Sequence, residues 1–315
     1  MSKSPLKPEQ ILRRIEWTVI RRLDGMLHGN YRTLFRGIGM DLAGLREYQF
    51  SDDVRHIDWN VTARLQTPHV RQYNEDREVT AWFLLDLSPS VDFGSVQMKK
   101  RSVLIDAVTT LARLLTRHGN RVGVLCYGGD VDTMIPAHSG RRHVLHIINS
   151  LLTRPELPAA RATDLGEFLK TASQVVRRRS LVFLMSDFIS EPGWAKPLAY
   201  LAQRHEIIAV RLFDPLEMNM PNLGLVVMQD SETGEQILVD THDKGFRKRF
   251  AEAAERRESE LRTALQHAGV DALELATDDD LADAIFRFAE MRKRRSTLTS
   301  GGSGFARGAD GVSVG

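Results

Sequence analysis

The chain has 315 residues, of which 42% are hydrophobic and 27% charged, a composition typical of a globular protein with a substantial core. This excludes a disordered or fibrous protein, and the single cysteine, Cys126, excludes a disulfide framework and cysteine-rich metal sites. The formal net charge of +2 gives no reason to expect a nucleic acid as the partner.

The sequence also gives no sign of a membrane association. It contains no apolar stretch long enough for a membrane helix, and its N-terminus lacks the apolar segment of a secretory signal. We therefore expect a cytoplasmic protein without membrane insertion.

Residues 1–78 are predicted to form an extension ahead of the main domain. Its first part is a helix from Pro8 to Leu27, with an apolar stripe at steps of three and four residues: Leu12, Ile15, Val19, Leu23 and Met26. Arginines interleave with this stripe and form either a solvated face or an arm that binds acidic surfaces. Residues 29–75 are rich in charge and are expected to form short strands and loops.

Strands and helices alternate over residues 79–291, which predicts βαβ units and a mainly parallel sheet. The predicted strands are 79–85, 122–127, 131–135, 181–185, 207–212 and 272–275. The predicted helices lie near 104–118, 141–152, 165–177, 195–204, 244–268 and 281–291. A β-hairpin is inserted at about 214–242, and residues 292–315, basic and then rich in Gly and Ser, are predicted to be disordered.

Polar side chains follow two of the predicted strands, and a further one lies in a loop that opens a helix. In an open parallel sheet, ligands bind outside the carboxyl ends of the strands, where the strand order reverses. We expect five residues to meet at such a point: Asp86, Ser88, Ser90, Thr163 and Asp187.

Two carboxylates and three hydroxyls, without nitrogen or sulfur, suit a hard divalent cation such as Mg²⁺, with Mn²⁺ as a second possibility. The three hydroxyls would bind the metal directly, and Asp86 and Asp187 would hold its waters. Neutral ligands leave the metal electrophilic, so an Asp or Glu carboxylate of another protein is the natural ligand for its open position. The alternative is local: Ser88 and Ser90 could cap the following helix, and Asp164 with Glu167 fits a capping box.

This set of residues resembles the metal-ion-dependent adhesion site of von Willebrand factor A domains, with the pattern Asp-x-Ser-x-Ser, a distant Thr and a distant Asp. All five positions are present. The resemblance implies an α/β fold with a six-stranded, doubly wound, Rossmann-like sheet, in which the predicted strand at 131–135 is the antiparallel edge.

The segment from Leu45 to Trp59, followed by Thr62-Ala63-Arg64, resembles the signature of a bacterial family of such domains of unknown function. Genes of that family commonly lie beside those of MoxR-type AAA+ ATPases. The chain departs from the usual pattern at Ser51 and Ala162, where Gly is common, but neither position is a proposed ligand. The resemblance implies a chaperone-like adaptor whose partner is a MoxR-type ATPase or a client protein offering a carboxylate.

The charged residues of the signature have two interpretations. Asp52, Asp53, Arg55, Asp58 and Arg64 could form a buried ion-pair network that fixes the extension to the domain. They could instead form a partner surface with aromatic anchors. The candidate contact residues are Tyr48, Asp53, Arg55, Asp58 and Trp59.

The rival hypothesis is a Mg²⁺-dependent hydrolase of phosphoryl or acyl substrates that uses the same metal site. The sequence offers no evident nucleophile or general base for it, and it has neither a P-loop nor a dinucleotide-binding fingerprint. A dehalogenase-type phosphatase needs an Asp where Ser88 stands. A zinc site at His138, His143 and His146 lacks a supporting carboxylate. We therefore expect an interaction module that is not an enzyme.

Overall fold

The computed structural model describes residues 7–27, 42–49, 57, 59–73, 79–94, 98–157, 163–229 and 234–301. The strands of the described residues are β1 Leu42–Glu47, β2 His69–Tyr73, β3 Thr80–Asp86, β4 Arg121–Tyr127, β5 Val131–His138, β6 Leu181–Ser186, β7 Glu206–Phe213, β8 Leu225–Gln229, β9 Gln236–Asp240 and β10 Asp271–Ala276. The helices are α1 Pro8–Ile15, α2 Arg21–Met26, α3 Trp59–Leu65, α4 Lys100–Arg117, α5 Arg141–Thr153, α6 Leu165–Val175, α7 Ala195–Arg204, α8 Pro215–Met218, α9 Lys244–His267 and α10 Leu281–Gly301.

A six-stranded sheet with the order β10-β7-β6-β3-β4-β5 forms the centre of the fold. All neighbouring strands are parallel except β5, which pairs antiparallel with β4 at the edge and contains Pro136. The strand order reverses between β3 and β6, so the prediction of a doubly wound, mainly parallel α/β sheet with an antiparallel edge strand is confirmed.

Apolar runs in the central strands explain why helices cover both faces of the sheet. Phe83 and Leu85 of β3 pack in the core formed with α4, α5, α10 and the N-terminal helices. Trp82 and Leu84, which alternate with them, pack on the other face with α6 and α7. Strands buried on both faces in this way are typical of parallel sheets.

The N-terminal segment is helical throughout, as predicted, but it contains a π-helical turn at Glu16–Ile20 between α1 and α2. The predicted apolar stripe is buried from Leu12 to Leu23, whereas Met26 at its end is only partly buried. The neighbouring Leu27, which was not assigned to the stripe, is buried. Part of its basic face pairs with acidic residues of the same chain, because Arg14 contacts Asp106 and Arg22 contacts Asp280.

Two elements differ from the sequence prediction. The last helix was predicted to end at Met291, but α10 continues to Gly301, and Arg292 makes ion pairs with Glu206 and Asp271. The signature segment contains a short helix, α3, where only strands and loops were predicted. The predicted inserted hairpin is present as β8 and β9, and residues 302–315 of the predicted tail lie outside the described residues. No helix of the described part of the chain could span a membrane.

Candidate functional site

Asp86 is the last residue of β3 and lies beside Ser186, the last residue of β6, at the point where the strand order reverses. The Ser186 hydroxyl donates a hydrogen bond to Asp86 Oδ2 at 2.6 Å, and the backbone N–H of Ser88 donates to Oδ1 at 3.0 Å. The carboxylate is fully buried and held on both oxygens. The ends of β3 and β6 therefore hold Asp86 at the edge of the sheet, the position that the sequence predicts.

Ser88 and Ser90 form a buried pair of hydroxyls directly after β3. Ser88 precedes a short 3₁₀ helix, Pro89–Asp92, and the two Oγ atoms are 3.1 Å apart. Ser88 makes no side-chain capping hydrogen bond, so the capping alternative is wrong for this residue. Adjacent oxygens around an octahedral Mg²⁺ are about 3.0 Å apart when each lies about 2.1 Å from the metal. The two hydroxyls form a hydrogen bond with each other, and the same spacing would suit two such ligands.

Asp187 begins the loop after β6 and is buried. The Ile189 N–H donates to its Oδ1 at 3.0 Å. Between these residues, Phe188 has a φ of +59°, in the left-handed region, and its N–H donates to Ser186 Oγ at 2.9 Å. A bulky residue rarely adopts this conformation unless its surroundings enforce it. The buried Phe188 ring and these hydrogen bonds keep the loop turned against the end of β6.

Thr163 lies at the same edge of the sheet, beside the loop that follows β6. Its carbonyl accepts hydrogen bonds from the Ser190 hydroxyl and the Glu191 N–H, both at 2.8 Å. The next residue, Asp164, donates its N–H to the Tyr127 hydroxyl at the end of β4, and its carboxylate accepts from the Glu167 N–H at the start of α6. Asp164 therefore caps α6, but it does not form the predicted capping box with Glu167, because its N–H is bound to Tyr127. Thr163, just before this cap, stays at the strand ends.

Lys100, which the sequence interpretation missed, makes the strongest electrostatic contacts of the site. Its ammonium lies 2.7 Å from Asp187 Oδ2 and 2.6 Å from Glu217 Oε1, and its side chain is 1% exposed. A lysine is ordinarily assigned to the surface, but Lys100 precedes Leu104 and Val108 by four and eight residues and so continues the apolar stripe of α4. This helical spacing is the sequence feature that could have indicated that Lys100 is buried.

Burial and charge perturb the ionisation of Asp86 and Lys100. Burial, followed by the charge of Asp187, raises the pKa of Asp86 to about 6, although hydrogen bonds from Ser186 and Ser88 oppose the change. For Lys100, burial lowers the pKa, but the charges and hydrogen bonds of Asp187 and Glu217 outweigh it, so the pKa is raised. The Lys100 ammonium pairs with Asp187 and Glu217, and the charge of Asp187 also acts on Asp86. When all four groups are ionised, the three carboxylates exceed the one ammonium by two negative charges.

This donor set fits a hard divalent cation. The unbalanced charge favours a cation of charge two, and the paired serine hydroxyls supply neutral oxygen ligands. Among the residues that the structure describes, no group of three His, Cys, Asp or Glu residues forms a metal cage on its own. Any metal at this edge therefore depends on the hydroxyl oxygens.

A cavity of about 380 Å³ adjoins Asp187. The loop after β6 lines it together with α8, which carries Glu217, and with α9. Glu217 also accepts a hydrogen bond from the Asp214 N–H at 3.0 Å, which closes a capping box on α8. Both acids that bind Lys100, Asp187 and Glu217, are therefore part of the cavity wall.

The candidate partner contacts are only partly placed. Trp59 is 69% exposed at the start of α3, which suits a contact residue, and Tyr48 is partly buried. Asp53, Arg55 and Asp58 lie outside the described residues, so the ion-pair and partner-surface interpretations both stay open.

The three histidines considered for a zinc site lie near one another, and one ring nitrogen of His143 contacts a backbone carbonyl. The ring centroids of His138 and His143 are 5.5 Å apart, and those of His143 and His146 are 6.5 Å apart. The Nε2 atom of His143 lies 2.7 Å from the Val122 carbonyl, and this contact requires a protonated nitrogen as its donor. This protonation excludes Nε2 as a ligand but leaves Nδ1, so it does not by itself exclude zinc. In the part of the chain that the structure describes, however, no group of three His, Cys, Asp or Glu residues could hold a metal ion.

Residues 44–260 match the family described as protein of unknown function DUF58. The chain belongs to this family. An uncharacterized protein of Mycobacterium tuberculosis (strain ATCC 25618 / H37Rv) is 37% identical to this DUF58 protein over 283 residues, 90% of this chain and 89% of the relative. An uncharacterized protein of Mycobacterium avium is 32% identical over 164 residues, 51% of this chain and 95% of the relative. The family resemblance inferred from the signature is confirmed.

Solved structures with a similar chain path include the conserved hypothetical protein BatB from Bacteroides thetaiotaomicron. Its TM-score is 0.46 at 16% identity, and the match covers 69% of this chain and 99% of BatB. The SpRpn10 VWA domain has a TM-score of 0.38 at 12% identity, with 66% of this chain and 94% of that domain covered.

Proposed function

We propose that this DUF58 protein is a protein–protein interaction module whose crevice at the ends of β3 and β6 binds Mg²⁺ and, through it, a carboxylate of the partner. The observation that carries the proposal is the convergence of Asp86, the Ser88–Ser90 pair and Asp187 at the strand-order reversal, with an excess of buried negative charge. Mn²⁺ can take the same oxygen ligands.

We assign two different roles to the residues of the crevice. Ser88, Ser90 and Thr163 supply neutral oxygens, whereas Asp86 and Asp187 supply charge and are oriented by hydrogen bonds from Ser186, Ser88 and Ile189. A metal bound mainly through neutral oxygens retains most of its positive charge and attracts an anionic ligand. The site then recognises an exposed Asp or Glu side chain, a chemistry that needs no catalytic residue.

The partner that the family resemblance favours is a MoxR-type AAA+ ATPase, or a client that this protein delivers to it. This choice rests on the gene neighbourhood that the family resemblance implies, and the chaperone-like role rests on analogy. A role as adaptor or co-chaperone in the cytoplasm follows from such a partner.

Metal binding is tested first, by isothermal titration of the purified protein with Mg²⁺. We expect one bound ion, and we expect Ser88→Ala to weaken the affinity at least about tenfold, because one ligand oxygen is lost. Ser102→Ala is the matched control, since Ser102 is exposed on α4. Equal affinity in wild type and Ser88→Ala would contradict the proposed ligand set.

The partner is tested with a purified MoxR-type ATPase at constant Mg²⁺, because chelation would also remove the metal that such an ATPase uses with its nucleotide. We expect binding by wild type and Ser102→Ala and at least about tenfold weaker binding by Ser88→Ala. Identical binding by all three proteins would refute a metal bridge. Metal-dependent cleavage of a phosphate ester that is lost in Ser88→Ala would instead favour the hydrolase alternative.

A further inference from the structure

We propose that Lys100 is a built-in cation of this site, and that its ammonium, held between Asp187 and Glu217, sets how tightly the crevice binds a divalent metal. The inference rests on the proposed metal binding. It assigns a role to two residues, Lys100 and Glu217, that lie outside the adhesion-site pattern.

The geometry places Lys100 within the site rather than beside it. Its two ion pairs, at 2.7 and 2.6 Å, share one ammonium between a proposed metal-site residue, Asp187, and Glu217 of α8. Removing an ammonium from water is costly, and only close acidic partners offset that cost. A lysine that is 1% exposed is therefore kept by its acidic partners, and its charge acts directly on Asp187 and Glu217.

The backbone also joins Lys100 to the serine turn. The Phe93 N–H donates to the Ser90 carbonyl at 3.3 Å, and the Lys100 N–H donates to the Phe93 carbonyl at 3.0 Å. The ammonium lies 5.8 Å from the centre of the Phe93 ring. Two backbone hydrogen bonds that share Phe93 thus connect Ser90 of the hydroxyl pair to Lys100, which restrains the lysine relative to the proposed ligands.

The charges then predict opposite effects of two substitutions. With Lys100, the four ionised groups leave two negative charges near the proposed metal position. Without its ammonium the cluster has three negative charges and attracts a cation more strongly. Without the Glu217 carboxylate only one remains, and the attraction is weaker. If Lys100 and Glu217 merely held the loop in place, substitution of either residue would weaken metal binding.

The test compares wild type with K100Q, E217Q and the double variant by isothermal titration with Mn²⁺ at fixed pH. We expect K100Q to bind at least about tenfold more tightly and E217Q about tenfold more weakly, each equivalent to about 1.4 kcal/mol. The double variant should lie within about threefold of wild type, because the two charge changes cancel. Urea unfolding of each variant in EDTA checks that the variants fold.

The outcomes separate this inference from the proposed function. Suppose that wild type binds Mn²⁺ and that K100Q and E217Q both lower the affinity, or that neither substitution changes it. The role of Lys100 is then refuted and the metal site stands. If K100Q does not fold, an unchanged affinity in E217Q still overturns the inference. If no protein of the series binds Mn²⁺, the proposed function fails and the inference with it. Binding gained only in K100Q would support Lys100 as the resident cation and contradict metal capture by wild type.

Discussion

Replacing Asp86 by Asn should stabilise the metal-free protein at neutral pH, although it removes a residue of the proposed site. Asp86 is fully buried, and burial together with the charge of Asp187 raises its pKa from 3.8 to about 6. The folded chain therefore binds this proton more tightly than the unfolded chain does. The corresponding contribution to stability is complete below about pH 3.8 and is lost as the pH rises through about 6.

The magnitude follows from the two pKa values. They differ by about 2, and one pH unit corresponds to about 1.4 kcal/mol, so keeping Asp86 ionised costs the fold about 3 kcal/mol above pH 6. Asn avoids this cost and can keep both contacts. Its amide oxygen accepts from the Ser88 N–H, and its amide group donates to the Ser186 oxygen.

The assay is urea unfolding in EDTA at pH 4 and pH 8. We expect the free energy of unfolding of Asp86→Asn to exceed that of wild type by up to about 3 kcal/mol at pH 8 and to equal it at pH 4. Added Mg²⁺ should stabilise wild type but not the variant. Ser88→Ala serves as the control, because it should lose the Mg²⁺ response without the gain at pH 8. A variant that is less stable than wild type at pH 8 would show that the Asp86 charge is already compensated.

Three further predictions concern the rest of the chain. Leu23→Ala should lower the free energy of unfolding in urea by about 2–5 kcal/mol, because Leu23 of the N-terminal helix is fully buried; a loss below about 1 kcal/mol would mean that this helix is not part of the core. Threonine at Leu225, Val227 and Leu238 together should change the melting temperature by only a few degrees, since all three are exposed on the hairpin, and a collapse of the melting transition would contradict that exposure. Burial raises the pKa of Cys126 to about 12, so this thiol should react with a disulfide reagent only after unfolding, and rapid labelling of the native protein would contradict its burial.

The sequence was sufficient to predict the central sheet and the placement of Asp86 and Asp187 at one edge of it, for a physical reason. Buried parallel strands are uninterrupted apolar runs, and the polar residues that follow them must lie at one edge of the sheet. Asp86 and Asp187 were therefore found from local pattern alone.

The errors involve partners far apart in the sequence. Lys100 is buried because Asp187 and Glu217 receive its charge, and neither acid lies near it in the chain. Arg292 was assigned to a disordered tail, yet it is part of α10 and pairs with Glu206 and Asp271. A basic residue has the same local pattern in a solvated tail and in a buried ion pair, so only the tertiary fold distinguishes the two cases.

The antiparallel strand β5 limits how other chains can join this protein. Pro136 lies within β5 and has no N–H to donate, and the register of β5 on β4 is broken by irregularities. A strand added at this end of the sheet would lack a regular row of hydrogen-bond donors, so the sheet is poorly suited to growth by β-strand addition. Self-assembly into extended sheets is thereby disfavoured on this side, and a partner's backbone would form few hydrogen bonds with this edge.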